Sequence, residues 1–119
     1  MRFMMIYKQT KEDTAPPTQE HMAEMGRYIE KLSKAGVLIT TDGLQHSSKG
    51  ARVRLTDGKL TVTDGPFAEA KEVIGGFAIV QVKSKEEAIE HAKDFLALVG
   101  GGESEIRQMH DAGDFEPQR

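Results

Sequence analysis

Apolar and polar residues alternate from the start of the chain, with Phe3, Met5 and Tyr7 set against Arg2, Met4, Ile6 and Lys8. A period of two predicts a strand over residues 2–8. Both of its faces carry apolar side chains, which suits a central strand better than an edge strand. A polar loop from Gln9 to Pro17 follows, and Thr18 is a fitting N-cap for a helix over about 18–35. Within that helix Met22, Met25, Ile29 and Leu32 recur at spacings of three, four and three, one apolar stripe, and Gly36 closes it. Residues 37–41 read as a second strand, ending at Asp42-Gly43. After a polar loop over 44–50, alternating runs at 51–56 and 59–64 fold about Asp57-Gly58 as a hairpin, with Val53, Leu55, Leu60 and Val62 on its inward face. Residues 77–82 are a strongly apolar strand, again central. Ser84-Lys85-Glu86-Glu87 is a capping box that opens a second helix, with Ala88, Ile89, Ala92, Phe95, Leu96 and Val99 inward. Gly100 to Gly102 end it. A last strand runs over 103–110, and residues 111–119 form an acidic tail, loose or packed on a partner subunit.

The order is thus β-α-β, a hairpin, then β-α-β. With the hairpin set aside this is a split βαβ arrangement in the α+β class, an antiparallel sheet with two helices on one face. It forms one domain over 1–110, with the tail appended. Two helices cover one face only, yet the central strands are apolar on both. A second copy of the same sheet is the simplest cover, so the sequence predicts a homodimer packed sheet to sheet.

Composition narrows the function classes. The 119 residues suit a single domain able to bury roughly 65% of its unfolded surface. There is no cysteine, which removes disulfides, thiol catalysis and cysteine metal sites. No apolar run approaches the ~20 residues that span a bilayer, and the apolar opening is too short for a signal peptide, so the expectation is a cytoplasmic protein without membrane contact. Net charge is −3 with both signs interspersed, which gives no electrostatic footprint for nucleic acid.

Turn chemistry, carboxylates and an exposed aromatic fall together in one place, Val62-Thr63-Asp64-Gly65-Pro66-Phe67-Ala68-Glu69-Ala70-Lys71-Glu72. Two readings of Asp64, Gly65 and Pro66 stand side by side. One is a structural turn, with Asp64 bonding backbone amides and Pro66 presetting its own φ. The other makes Asp64 an acid–base group or polar anchor at a pocket, walled by Phe67 and Tyr7, its pKa raised by burial. Glu69, Lys71 and Glu72 are either a solvated loop or a set in which Lys71 pairs with Asp64 or an anionic ligand and Glu69 orients it. Asp42 ends a strand expected beside the one after this stretch, so Asp42 and Asp64 could face one pocket. His21, one turn before Met25, is the histidine best placed to pair with either. His46 sits in a loop that could close over that pocket, with Ser47 and Ser48 beside it, and His91 falls on the outer face of its helix. No histidines have zinc-ligand spacing, and two acids alone do not make a metal site. The triple glycine follows a helix, so no phosphate cradle forms. No cofactor is called for.

The run Thr63-Asp64-Gly65-Pro66-Phe67-Ala68-Glu69 with Lys71-Glu72 and Gly75-Gly76-Phe77 resembles the signature of the DGPF group of YCII-related proteins. Ala35-Gly36-Val37-Leu38, Gly43-Leu44-Gln45 and the Met-Met-Ile-Tyr opening are similar too, so the likeness covers 1 to about 109. It implies a dimeric α+β barrel with a ferredoxin-like protomer. The group is bacterial, and no established reaction comes with the resemblance. Asp42 fills the acidic place that the group usually has before Gly-Leu-Gln. Enzymatic relatives in the wider family use a helix histidine with an acidic partner; the matching position here is Met25, with His21 one turn earlier. Two functions follow as expectations. One is a homodimeric small-molecule-binding protein or enzyme using acid–base side chains by the Asp64 stretch. The other is an accessory regulator that works by protein contact with an extracytoplasmic-function sigma factor, since members often neighbour such genes.

Overall fold

In the computed structural model the described residues are 1–12, 17–67 and 72–115. They form β1 (Arg2–Gln9), α1 (Gln19–Lys34), β2 (Leu38–Gly43), β3 (Ala51–Thr56), β4 (Lys59–Asp64), β5 (Val73–Gln81), α2 (Lys85–Val99) and β6 (Glu103–Gln108), with short 3-10 turns at Ser47–Lys49 and Ala112–Phe115. The main sheet has the order β2-β5-β1-β6, antiparallel throughout, and β3-β4 is a separate two-stranded sheet. This is the ferredoxin-like split βαβ arrangement with an inserted hairpin. Its two central strands are β1 and β5, as their apolar faces predict.

The helices form where local chemistry directs them. Thr18 caps α1 by accepting from the His21 amide at 3.1 Å. Ser84 caps α2 by accepting from the Glu87 amide at 3.2 Å, while Glu87 reaches back to the Lys83 amide at 3.0 Å. Gly100 closes α2 with φ of 88°. The β3–β4 turn holds Asp57 at φ 52° and Gly58 at φ 76°, the left-handed pair a two-residue type I′ turn needs.

The core lies on the helix side of the sheet. Phe3, Met5, Val80, Val82, Ala88 and Ala92 form one buried cluster. Their neighbours Met4, Ile6, Phe77 and Ile79, on the other face by strand alternation, are only half-buried, because no helix covers that side. Met22 departs from the predicted stripe of α1. It is 59% exposed, since the stripe meets the sheet only from Met25 onward.

The hairpin departs further. Val53 pairs with Val62 and Leu55 with Leu60, so the four share one face as expected. That face does not turn inward, however: each residue is between 67 and 69% exposed. The arm stands off the body, which stretches the chain to 55 × 44 × 18 Å with a radius of gyration of 17.0 Å. A compact domain of this length would have about 13–14 Å.

No described helix is long and apolar enough to cross a membrane.

Candidate functional site

A cavity of about 400 Å³ opens between the two helices and the sheet. The sequence makes room for it by leaving the sheet floor bare. Gly43 pairs with Gly76, Gly76 pairs with Tyr7, and Gly75 sits in a bulge opposite the Tyr7–Lys8 step. Met25, Ile29 and Leu32 of α1 form one apolar wall, and Phe95 of α2 another. Tyr7 meets Phe95 edge to face, with centroids 5.4 Å apart at 86°.

The polar groups of this cavity are few and held in place. The Tyr7 hydroxyl donates to the Gly101 carbonyl at 3.1 Å, and the Tyr28 hydroxyl donates to the His91 carbonyl at 3.1 Å. Burial pushes the Tyr28 phenol up, and the Asp94 carboxylate adds to the shift, so Tyr28 enters the site as a neutral hydroxyl. Thr41 donates to the Phe77 carbonyl at 2.8 Å. His91 lines the cavity with its side chain 20% exposed, and its Nε2 lies 3.9 Å from Glu87 Oε1 one turn back. An imidazole set at the margin of an apolar cavity with a carboxylate one turn away has the geometry of a general acid–base group.

The signature stretch builds a different structure. Ser47 is the one buried polar residue among those described. Its amide donates to Glu12 Oε2 at 2.7 Å, its hydroxyl donates to Glu12 Oε1, and that hydroxyl accepts from the Phe67 amide at 3.0 Å. The Gly65 amide donates to the Gly50 carbonyl at 3.0 Å. A Cβ at Gly65 would fall on the Ser47 carbonyl oxygen, so only glycine allows this approach. The Arg52 guanidinium lies 3.8 Å from the centroid of the Phe67 ring. The Ser47 hydrogen bonds hold the Glu12 carboxyl below the usual glutamate range, and the Ser47 amide and the His46 ring favour its charged form as well. Around this latch lies a second hollow of about 480 Å³, between the 44–50 loop, Arg52, Phe67 and residues 72–74.

The expected site residues are therefore not gathered in one pocket. Tyr7 lines the helix–sheet cavity. Asp42 borders it at the end of β2, opposite Phe77 and on the alternate strand face from Thr41. Asp64 is exposed at the end of β4, opposite Ala51, and lines neither cavity. Gly65 and Phe67 belong to the latch, and Pro66 between them is exposed. His21 lines neither cavity. Glu69 and Lys71 lie outside the described residues. His46 caps the Ser47–Lys49 turn through Nδ1 at the second hollow. His91 corrects its expected outer-face position: it lies between Ala88 and Phe95 at helical spacing, at the margin of the buried stripe, and that margin is the signal that could have found it. The Glu12–Ser47 pair spans 35 residues and leaves no local trace. Among the described residues no group of histidines and acids could hold a metal ion.

Known proteins bear on this architecture. Over 89 residues the chain is 33% identical to an uncharacterised protein of Rhizobium meliloti (strain 1021), covering 74% of this chain and 72% of that one. It resembles the structure of 5-chloro-2-hydroxyhydroquinone dehydrochlorinase from Burkholderia phenoliruptrix AC1100, solved in complex with 2,5-dihydroxybenzoquinone. The TM-score is 0.50 at 13% identity, covering 98% of this chain and 100% of that one, a likeness of fold. The model of the YCII-related domain matches residues 1–109, and with nearly the whole chain inside that match the protein belongs to the YCII-related domain family.

Proposed function

We propose that this chain binds a small, largely apolar molecule in the cavity between its helices and its sheet, and acts on it by proton transfer through His91. One observation carries the reading. A hollow of about 400 Å³ is walled by apolar side chains and met at its margin by a histidine with a carboxylate one turn away. That volume falls in the range of small-molecule sites, and a few fixed polar groups in an apolar pocket are what give such sites their selectivity. In this reading Tyr28 and Thr41 orient the ligand, and Glu87 steadies the His91 ring. The working form is a homodimer joined through the open sheet face, where Met4, Ile6, Phe77 and Ile79 are half-buried in the single chain.

The test is a thermal-shift and calorimetry screen of the purified protein. The panel begins with small hydroxylated rings, because a chain of the same fold is bound to 2,5-dihydroxybenzoquinone in the dehydrochlorinase. A ligand at 100 times its dissociation constant stabilises by about 2.7 kcal/mol, which is readily seen. Ala78→Leu, which fills the cavity from the sheet, is expected to abolish the shift. His91→Gln is expected to keep binding within about tenfold and to abolish turnover of any compound the protein converts. Binding that survives Ala78→Leu undiminished would place the ligand elsewhere and end this reading.

A further inference from the structure

The β3–β4 arm has an apolar face that the described residues of its own chain leave bare. Two cross-strand pairs, Val53 with Val62 and Leu55 with Leu60, form that face. Arg52, Arg54, Lys59, Thr61 and Thr63 form the other by alternation. All twelve strand residues are exposed. A lone two-stranded hairpin is at best marginally stable in water and needs a further strand or a packed face to persist. Four aligned aliphatic side chains on a free arm are also far from the scattered single apolar residues of an ordinary surface.

We infer that the arm is a clasp: each protomer lays the Val53, Leu55, Leu60 and Val62 face of its hairpin on a second copy of this chain. The inference rests on the sheet-to-sheet dimer proposed above and supplies what that dimer lacks. In plan the four-stranded sheet offers roughly 500 Å² per protomer, from strands about 4.8 Å apart and about 3.3 Å per residue. A standard stable interface takes about 800 Å² from each partner. One arm adds roughly 200 Å² by the same spacings. In a two-fold dimer each protomer both gives an arm and receives one, so the contribution counts twice and closes the gap. Reach agrees with area. A six-residue strand spans about 20 Å, close to the width of four strands, and the arm springs from the end of β2 and returns into β5, which lie at one side of the open sheet.

Photo-crosslinking with light scattering tests this. The chain has no cysteine or tryptophan, and p-benzoylphenylalanine is placed at Leu60 in one preparation and at Thr61, on the opposite face, in another. On irradiation at low micromolar concentration the Leu60 probe should give a covalent species of twice the 13.1 kDa chain mass, and the Thr61 probe should give little. Leu55→Asp should raise the dimer dissociation constant at least tenfold with the far-ultraviolet circular dichroism unchanged. A dimer by light scattering with no Leu60 crosslink, or with an affinity indifferent to Leu55→Asp, overturns the clasp and leaves the sheet dimer standing. A monomer by light scattering overturns both. Crosslinking from Leu60 only to the same chain, at monomer mass, also overturns the clasp.

Discussion

Ser47 shows how one buried hydroxyl ties distant parts of the chain together. It donates to Glu12 from the loop after β1 and accepts from the Phe67 amide of the signature turn, so three loops share one side chain. Ser47→Ala would leave the half-buried Phe67 amide without this partner, and one lost hydrogen bond costs about 0.5–1.5 kcal/mol. Chemical denaturation of the variant should show a loss of that size. Glu12 adds a pH signature. Its carboxylate is held below the ordinary range by Ser47, so the folded state keeps the charge to lower pH than the unfolded chain does. The stabilisation is therefore complete above the unfolded pKa of about 4.3 and drains as pH falls through the lower folded value. Melting temperature measured from pH 7 down to 3 should fall more steeply in the native protein than in Glu12→Gln. Parallel curves would mean that the charge of Glu12 does not matter.

At the scale of elements, the signature turn is a fitted joint. The Gly65 amide bonds the Gly50 carbonyl, and the Ser47 carbonyl occupies the space a side chain would need. Gly65→Ala forces backbone against backbone, which side-chain relaxation cannot relieve, and should cost about 3 kcal/mol or more. The loss should show in thermal unfolding, with the arm retained in a hairpin-selective hydrogen-exchange readout. The sequence announced this joint through Gly-Pro and its neighbours, and it announced strands, caps and the hairpin turn through period, Ser84 and Asp57-Gly58. All of that is local chemistry, legible within a few residues. It did not announce what the joint holds, because Glu12 and Ser47 are 35 residues apart and meet only after folding. It also placed the hairpin's apolar face inward, since alternation tells which residues share a face and says nothing of what that face meets. His91 was misassigned for a related reason. A residue at the margin of a helical stripe is surface or lining according to how the sheet floor is filled, and here Gly43, Gly75 and Gly76 leave it empty.

For the whole molecule the deciding feature is a sheet with one dressed face. Phe3, Met5 and Val80 are buried beneath the helices, while Met4, Ile6, Phe77 and Ile79 stay half-open on the reverse. Along the β6 side of that reverse, Lys8 pairs with Glu105 at 2.8 Å, and Glu105 also meets Arg107 at 3.4 Å. The pairing raises the Lys8 ammonium and lowers the Glu105 carboxyl, so both stay charged and matched at neutral pH. An apolar centre beside an ion pair already satisfied within the chain is a surface that a second copy can cover without orphaning a charge. The expected mass in solution is twice 13.1 kDa. Ile79→Asp puts an unpaired carboxylate into the centre of the covered face, and each subunit of a two-fold dimer carries it, so the cost is paid twice. The variant should run as a monomer at micromolar concentration, with its helices intact by circular dichroism because Ile79 faces away from them. Lys8→Ala should weaken the dimer less, and more at low salt than at high, since Glu72, Glu103 and Glu105 then repel one another without their shared cation. An Ile79→Asp protein that remained fully dimeric would show that the open sheet is not the contact, and the cover for its apolar face would have to be sought in another partner.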